Sequence, residues 1–256
     1  MLFFVFVLLT TYAATLRLGA TTTTGDAEGE ITARRPVPAI TPAQLEAVRQ
    51  RFLGRIAQVP PMHSALKKDG KPLYEYARAG VQVERAAREV QVHALNLALS
   101  LDEQGRAAIE MEVTCSKGAY IRTLGEDIGA ALGCGGHLTA LRRTATGPFT
   151  LAQCITLEAL QALPEDQRLA ALLPVQALLP GFAAITLGHD DAARFLTGLR
   201  RRGPWPDAPQ VTVFGKQPRA LLGTAQVKTG ELIAVRLLSP MEVKQMLAQQ
   251  GERDAI

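Results

Sequence analysis

The feature that most constrains the fold is a strand hairpin followed at once by a helix, in residues 89–132. Residues 109–115 alternate apolar and polar side chains, which predicts a strand with one buried face. Residues 89–101 alternate in the same way, with a slip near Ala94 that predicts a β-bulge, and Gln104-Gly105 predicts the turn between the two strands. The apolar residues that follow share one helical face: Ile121, Leu124, Ile128 and Leu132. This order of elements indicates an α/β (α+β) chain with a mostly antiparallel sheet.

A second helix is predicted by its start signal. Thr41 is a suitable N-cap, Pro42 suits the first helical position, and Gln44 completes a capping box. Gly54 is positioned to end this helix.

Three prolines interrupt a Leu/Ala-rich stretch at residues 156–180, and this predicts a boundary. Beyond it, a short helix is predicted at 190–199 and strands at 211–214, 220–227 and 231–238. We therefore divide the chain into an atypical segment 1–11, a main domain 12–180 and a small β-rich module 181–256.

Composition excludes several classes of protein. A hydrophobic fraction of 47% with 20% charged residues argues against disorder. The three Cys form no CxxC pair and the four His form no HExxH, which argues against a zinc site and a disulfide framework. The net charge of +4 permits a polyanionic partner without requiring one.

The first nine residues, MLFFVFVLL, are apolar and uncharged. They are too short for a membrane span of about 20 residues, and they lack the basic start of a secretory signal. They are consistent with a buried strand, or with a start that is not the natural start of the domain.

The best candidate site lies where the predicted strand meets the helix, at Lys117, Tyr120 and Arg122. Lys117 beside a helix N-terminus suits a phosphate, the Tyr120 ring suits a stacked base, and Arg122 suits a carboxylate partner. A solvated loop with an ordinary surface arginine is the alternative.

Other candidates have simpler interpretations. Gly133–His137 is read as a turn rather than a Cys–His nucleophile, and Asp26 as an Asx-turn residue rather than a catalytic carboxylate. Basic runs at 63–71, 137–143 and 200–202 are usually solvated surface. Together with a base-stacking candidate, they indicate RNA binding.

Three stretches carry a resemblance to a known family. They are residues 12–31, with LRLGATTTTGDAEGEI after Tyr12; residues 59–80, VPPMHSALKKDGKPLYEYARAG; and residues 115–149, beginning CSKGAYIRTLGEDIG. On these the chain resembles the bacterial TruB family of tRNA pseudouridine synthases from residue 12 to about residue 180. The remainder resembles the family's small PUA-like RNA-binding domain more loosely.

The resemblance implies an isomerase that converts the uridine at position 55, in the T-arm of tRNA, to pseudouridine. The implied fold is a mixed, mostly antiparallel sheet with flanking helices and a PUA-like C-terminal domain. The implied enzyme uses no cofactor and no metal. Its partner is tRNA, and a cytoplasmic monomer without membrane contact is expected. The target base is flipped into a pocket, and a carboxylate attacks it.

Site residues follow from the same resemblance. Tyr12 matches the active-site tyrosine that stacks on the base, Tyr120 a second substrate-contacting aromatic, and Leu141 an apolar pocket residue. Arg122 matches the arginine that pairs with the catalytic Asp. The expected RNA-binding charges are Lys67, Lys71, Lys117, Arg142 and Arg143.

One departure from the family is serious. The nucleophilic Asp belongs to a G-H-x-G-x-L-D-P-x-A-T-G motif before the Tyr12 position, and the eleven residues before Tyr12 contain no Asp. Asp26 falls downstream and does not replace it. We therefore expect a copy truncated at its N-terminus, with Arg122 lacking a carboxylate partner and with no turnover. The alternative is a non-catalytic tRNA-binding module or a pseudogene-like fragment.

Overall fold

The computed structural model describes residues 9–179 and 181–254. Residues 1–8, and with them most of the apolar opening, lie outside the described residues. The chain separates into two compact units, residues 1–154 and residues 155–256. The predicted division at residue 180 stays a prediction.

The first unit contains ten strands and three α-helices in its described part. The strands are β1 Thr10–Leu18, β2 Ala20–Thr22, β3 Ile31–Arg34, β4 Gly54–Gln58, β5 Lys67–Lys68, β6 Lys71–Pro72, β7 Arg88–Leu101, β8 Ala107–Cys115, β9 Gly136–Thr146 and β10 Phe149–Thr150. The helices are α1 Pro42–Phe52, α2 Leu73–Arg78 and α3 Ile121–Ala131, and a 3₁₀ turn follows at Leu151–Gln153.

A six-stranded sheet in the order β10-β9-β1-β8-β7-β4 organises this unit. All its neighbouring strands run antiparallel. Ala14, Leu16 and Leu18 of β1 are buried on one face, where they pack with apolar residues of β8, α1 and α3. The alternation in β1 therefore gives the sheet one core face and one polar face.

The predicted hairpin and helix starts are confirmed. β7 pairs with β8, and the register shifts between Val92 and Ala94, as the slip in alternation predicts. At α1, the Thr41 side chain accepts from the Gln44 amide, and the Gln44 side chain accepts from the Thr41 amide at 2.9 Å.

Glycines let α3 lie close to the sheet. A Cβ on Gly129 would meet the Gly135 carbonyl carbon and the Gly136 nitrogen at 2.5 Å. A Cβ on Gly125 would meet only side chains, the nearest being Leu138 Cδ2 at 2.9 Å. The helix therefore depends on small residues on the face that meets β9.

Two parts of this unit differ from the expectation. The segment 58–71, read as a loop, contains the short β5–β6 hairpin. The segment 137–143, read as a basic run, belongs to strand β9, which pairs along most of β1. The sequence of β9 does not alternate between apolar and polar residues as a half-buried strand usually does. Residues 139–143 are all exposed, and the pairing with β1 contains two register shifts.

The second unit is described by its own elements. They are α4 Leu157–Ala162, α5 Glu165–Ala170, β11 Ala183–Leu187, α6 His189–Leu196, β12 Arg201–Arg202, β13 Ala208–Gly215, β14 Leu221–Lys228, β15 Glu231–Leu237 and α7 Pro240–Asp254, with a 3₁₀ turn at Val175–Leu178. The strands form one sheet in the order β11-β13-β14-β15-β12.

The β-rich character predicted for this part is confirmed, with β13, β14 and β15 close to the expected bounds. The sequence did not predict β11, β12 or α7. Phe195, Val213 and Leu232 are fully buried in its core.

Candidate functional site

Tyr12 lies on the central strand β1, opposite Val113 on one side and Arg143 on the other. The Arg143 guanidinium carbon lies 5.5 Å from the centroid of the Tyr12 ring. Leu141 lies two residues before Arg143 on β9, and it is 47% exposed. Side chains two apart on a strand share a face, so an aromatic ring, a cation and an exposed leucine lie side by side.

Arg122, at the start of α3, is bound to Asp26. Arg122 Nη1 donates to Asp26 Oδ2 at 2.9 Å, and the two side chains are 24% and 26% exposed. Arg122 Nη2 donates to the His63 carbonyl at 2.7 Å, and Nη1 also reaches the Thr24 carbonyl at 3.3 Å. The expectation that Arg122 lacks a carboxylate partner is therefore wrong.

Pairing through β9 is what brings Asp26 to Arg122. Leu138 donates its amide to the Gly25 carbonyl at 3.0 Å, and Asp26 forms a parallel bridge with Leu138. Gly25 has a φ of +75° and Asp26 follows it directly, so the chain turns there in a conformation that favours glycine. This turn places the Asp26 carboxylate beside the first turn of α3.

The two carboxylate oxygens of Asp26 have different roles. Oδ1 accepts from the Thr24 hydroxyl at 2.5 Å and from the Glu28 amide at 3.2 Å, which is the predicted Asx turn. Oδ2 accepts from Arg122. Partial burial acts to raise the pKa of Asp26, but the bonds from Thr24, Glu28 and Arg122 outweigh it, so the pKa lies below its usual value.

Glu126 is a second carboxylate at this site, and the sequence analysis did not single it out. It lies one helical turn after Arg122, and a Cβ on Gly25 would meet its carboxyl carbon at 2.9 Å. Burial raises the pKa of Glu126, and the charges of Asp127 and Asp26 add to this against the lowering effect of Arg122. The four-residue spacing from Arg122 was the signal that could have found it.

Gln58 fixes the backbone of Tyr120. The Gln58 side chain, which is 2% exposed, accepts from the Tyr120 amide at 3.0 Å and donates to the Tyr120 carbonyl at 3.3 Å. Tyr120 precedes α3, so one buried amide sets both its conformation and the start of the helix that carries Arg122. Sequence reasoning placed Gln58 in a loop and missed this role.

The remaining sequence-predicted charges lie on exposed positions. Lys67 and Lys71 lie on the β5–β6 hairpin, where Lys71 Nζ is 5.0 Å from the Tyr76 ring centroid. Lys117 lies in the turn before α3, and Arg142 lies on β9 opposite Ala13. These side chains do not converge on Arg122 by any contact within the described residues.

The interpretation of residues 200–202 as a run of free positive charge needs correction. Arg200 and Arg202 both pair with Glu231, at 3.2 Å and 2.8 Å, and Arg201 pairs with Asp191 at 2.6 Å. The run is therefore largely neutralised by neighbouring carboxylates, and it offers less free positive charge to an RNA than its sequence indicates.

Gly133–Gly135 forms the predicted turn, whereas Gly136 and His137 begin strand β9. Cys134 is buried, its thiol contacts the Gly129 carbonyl, and burial raises its pKa. The His137 ring lies 2.8 Å from the Ala20 carbonyl. Each side chain has its own backbone partner, so the segment has a structural role.

No cluster of three or more His, Cys, Asp or Glu side chains is arranged to hold a metal within residues 9–179 and 181–254. In that same part of the chain, no helix has the length and apolar character needed to cross a membrane.

An α+β chain with a tyrosine ring beside a cation, and with an arginine held by a carboxylate, has the features of a nucleobase-binding protein. Comparisons with known proteins identify the family. The family model "TruB family pseudouridylate synthase (N terminal domain)" matches residues 6–121, and "tRNA pseudouridylate synthase B C-terminal domain" matches residues 122–180. The chain belongs to the TruB family of pseudouridylate synthases.

Relatives agree with this assignment. The chain is 58% identical over 245 residues to a tRNA pseudouridine synthase B of Verminephrobacter eiseniae, covering 95% of this chain and 74% of the relative. It is 54% identical over 233 residues to the protein of the same name in Ralstonia nicotianae, covering 89% and 74%.

Solved structures show the same fold. A Cbf5-Nop10-Gar1 complex contains a chain that matches with a TM-score of 0.57 at 21% identity, over 90% of this chain and 66% of that one. An H/ACA ribonucleoprotein bound to a substrate RNA containing 2'-deoxyuridine matches with a TM-score of 0.56 at 19% identity, over 90% and 65%. The chain thus spans slightly less than two thirds of those solved chains.

Proposed function

We propose that this chain binds the T-arm of tRNA as a cytoplasmic monomer, in the manner of a tRNA pseudouridine synthase, with the target uridine stacked on Tyr12. The observation that carries the proposal is the shared face of Tyr12, Leu141 and Arg143. A flipped base needs an aromatic surface, an apolar neighbour and a nearby cation for its phosphate, and these three residues supply them.

Arg122 would orient the reacting group in this scheme. In the isomerisation a carboxylate attacks the uridine and the bond between N1 and the ribose breaks. The uracil turns and bonds to the ribose through C5, the carboxylate is released, and the proton lost from C5 is balanced by a proton gained at N1. Arg122 is held by Asp26 and by two backbone carbonyls, so its guanidinium is already fixed before RNA arrives. Such preorganisation avoids an ordering cost on binding.

We expect this chain to bind RNA without turnover. Both oxygens of Asp26 already accept hydrogen bonds from neighbouring groups, so neither oxygen is free to attack a uridine without breaking one of them. This observation favours the form of the proposal in which the chain is a non-catalytic tRNA-binding module.

The proposal is tested with the purified chain and a T-arm RNA hairpin. We expect binding that weakens steeply with salt, because Lys and Arg contacts release counterions. Tyr12→Leu removes the stacking surface, worth about 1–3 kcal/mol per base, and should weaken binding about tenfold or more. Tyr12→Phe retains the ring and serves as the matched control.

Turnover is measured on the same RNA by chemical detection of pseudouridine. No product is expected. Efficient conversion would remove the argument for a non-catalytic chain, and substitution of Asp26 and Glu126 would then identify the attacking carboxylate. Absence of hairpin binding at low salt would contradict the proposed function itself.

A further inference from the structure

The outer edge of strand β7 lacks a strand partner over its second half. Strand β4 pairs only with Arg88–Val92, at the beginning of β7, while β8 pairs along the other side. Within residues 9–179 and 181–254, no strand pairs with the outer edge of residues 96–101. An unpaired edge of this kind presents a row of N–H and C=O groups on which another strand can form.

The apolar cover of β7 ends before the strand does. Leu95 is 1% exposed and packs in the core with α1, and Arg49 of that helix donates from Nη1 to the Leu95 carbonyl at 3.3 Å. Leu99 and Leu101 lie on the same side as Leu95, but they are 46% and 68% exposed. The core face of the sheet therefore continues beyond α1 as an exposed leucine stripe, formed by Leu97, Leu99 and Leu101.

The leucines of this stripe also direct their backbone groups to the open edge. Along a strand, the N–H and C=O groups of successive residues alternate between the two neighbouring strands. The Asp102 amide bonds inward, to the Arg106 carbonyl across the hairpin, whereas the Leu95 carbonyl bonds outward, to Arg49. Residues 97, 99 and 101 therefore face outward as Leu95 does. Residues 96–101 contain no charge and no proline, which are common protections of an open edge.

We propose that two copies of this chain pair through this edge, with β7 antiparallel to β7 of the second copy and a two-fold axis at Leu99. In this register Leu99 lies opposite its own copy, and Leu97 lies opposite Leu101 of the second copy. Every leucine of the stripe therefore meets a leucine. The same residues carry the outward backbone groups, so each opposed pair also exchanges hydrogen bonds.

The charge pattern favours a second copy as the occupant of the edge. A strand that pairs with itself about a two-fold axis brings like residues together, so charges near the axis would repel each other. Residues 96–101 have none. Glu103, just beyond them, comes opposite Leu95 of the second copy, near Arg49 and away from its own counterpart. No like charges therefore meet across the axis.

The size of the contact makes this dimer weak. A strand pair of five residues buries less than the roughly 1,200 Å² at which specific, stable interfaces begin. The pairing therefore forms at high protein concentration, and the chain stays monomeric at the dilute concentrations used to measure tight RNA binding. The proposal goes beyond the proposed function and does not depend on it.

Sedimentation velocity of the full chain without RNA tests the pairing. We expect a monomer at about 1 µM protein and a growing fraction of dimer towards about 100 µM. Leu99→Lys places two positive charges at the axis and should abolish the dimer. Leu157→Lys makes the same change at a leucine of α4 that is 64% exposed, and it should leave the dimer unchanged. Circular dichroism verifies that both variants are folded.

The absence of a dimer at the highest concentration would overturn the proposal. Self-association that persists in Leu99→Lys, or that Leu157→Lys abolishes equally, would also overturn it, because the contact would then lie elsewhere in the chain. Neither measurement contains RNA, so failure here and failure of the proposed function are distinguishable.

Disulfide trapping tests the register without relying on Leu99→Lys. Cys154, the exposed thiol among the three free cysteines, is first replaced in Cys154→Ser. Leu99→Cys would then set two thiols opposite each other, with α-carbons about 5.5 Å apart, which suits a disulfide. Leu101→Cys would place them about 14 Å apart, because four residues of strand separate the two copies. We expect Leu99→Cys to give a covalent dimer under mild oxidation and Leu101→Cys to remain a monomer, although Leu101 is the more exposed residue. Equal trapping at both positions would contradict the two-fold axis at Leu99.

Discussion

At the scale of single residues, one carboxylate both shapes a turn and fixes a distant arginine. Asp26 uses one oxygen for its own loop and the other for Arg122. The hydrogen bonds from Thr24 and the Glu28 amide restrict the rotamer of Asp26 independently of Arg122. Less side-chain entropy is therefore lost when Arg122 pairs with it. The pair should therefore be stronger than an exposed ion pair.

Asp26→Asn tests this division of roles. The amide retains an acceptor oxygen for the turn but removes the charge facing Arg122, so we expect a loss of about 1 kcal/mol in the free energy of unfolding. Asp69→Asn, at an exposed position with a φ of 52° that asparagine also tolerates, is the control. Urea unfolding of both variants measures the difference, and equal stabilities would contradict the assignment.

The pH dependence follows from the same pair. The pKa of Asp26 is lowered from 3.8 in the folded state, so its contribution is fully present above the unfolded value. That contribution is lost as the pH falls through the folded pKa. Wild type should therefore lose stability below about pH 4 more steeply than Asp26→Asn. Parallel acid unfolding curves for the two proteins would show that the pair is uncoupled from folding.

Gln58 gives a second residue-scale prediction. Gln58→Leu has a similar size but leaves the amide and carbonyl of Tyr120 without partners, so we expect a loss of about 2 kcal/mol in stability. RNA binding should weaken as well, because the start of α3 carries both Tyr120 and Arg122. Gln50→Leu, which removes an exposed bond to Glu46 within α1, should cost only a few tenths of a kcal/mol. Equal losses would refute the role of Gln58.

At the scale of elements, helix α3 is positioned by its glycines as well as by its apolar face. Its buried residues face the sheet, and Gly129 lies against the backbone of the turn that begins β9. A backbone obstacle cannot rotate away as a side chain can. The two glycines of α3 should therefore respond differently to the same substitution.

Gly129→Ala should lower the free energy of unfolding by about 2 kcal/mol or more, because the clash outweighs the gain in helix propensity. Gly125→Ala meets only flexible ends of Leu138 and Leu16, so propensity should largely offset its cost. Denaturant unfolding of the two variants measures the ranking. A Gly125→Ala protein less stable than Gly129→Ala would contradict this packing.

At the scale of the whole molecule, local signals in the sequence predicted local structure well. The capping box at Thr41 and the slip near Ala94 needed only neighbouring residues, and both are confirmed. The Asp26–Arg122 pair joins residues 96 positions apart, and no local signal contains it. Strand β12 is only two residues long and forms through its pairing with the distant strand β15. The sequence around Arg202 therefore gives no sign of the carboxylate that this pairing brings to it, and its charge is read as free.

Free charge, rather than net charge, should govern RNA binding by the whole chain. Arg142 is exposed on β9 and forms no ion pair within the described residues, whereas Arg202 pairs with Glu231 at 2.8 Å. Removing Arg142 therefore removes a charge available to phosphate. Removing Arg202 removes a charge that a carboxylate already offsets.

Arg142→Gln should weaken binding of the T-arm hairpin and reduce the slope of log K against log salt by about one. Arg202→Gln carries the same change in net charge and should leave the slope nearly unchanged. Fluorescence anisotropy titrations over a series of salt concentrations measure both slopes. Equal reductions for the two variants would mean that the chain attracts RNA through its overall charge, and that the placement of cations on β9 has no special part in binding.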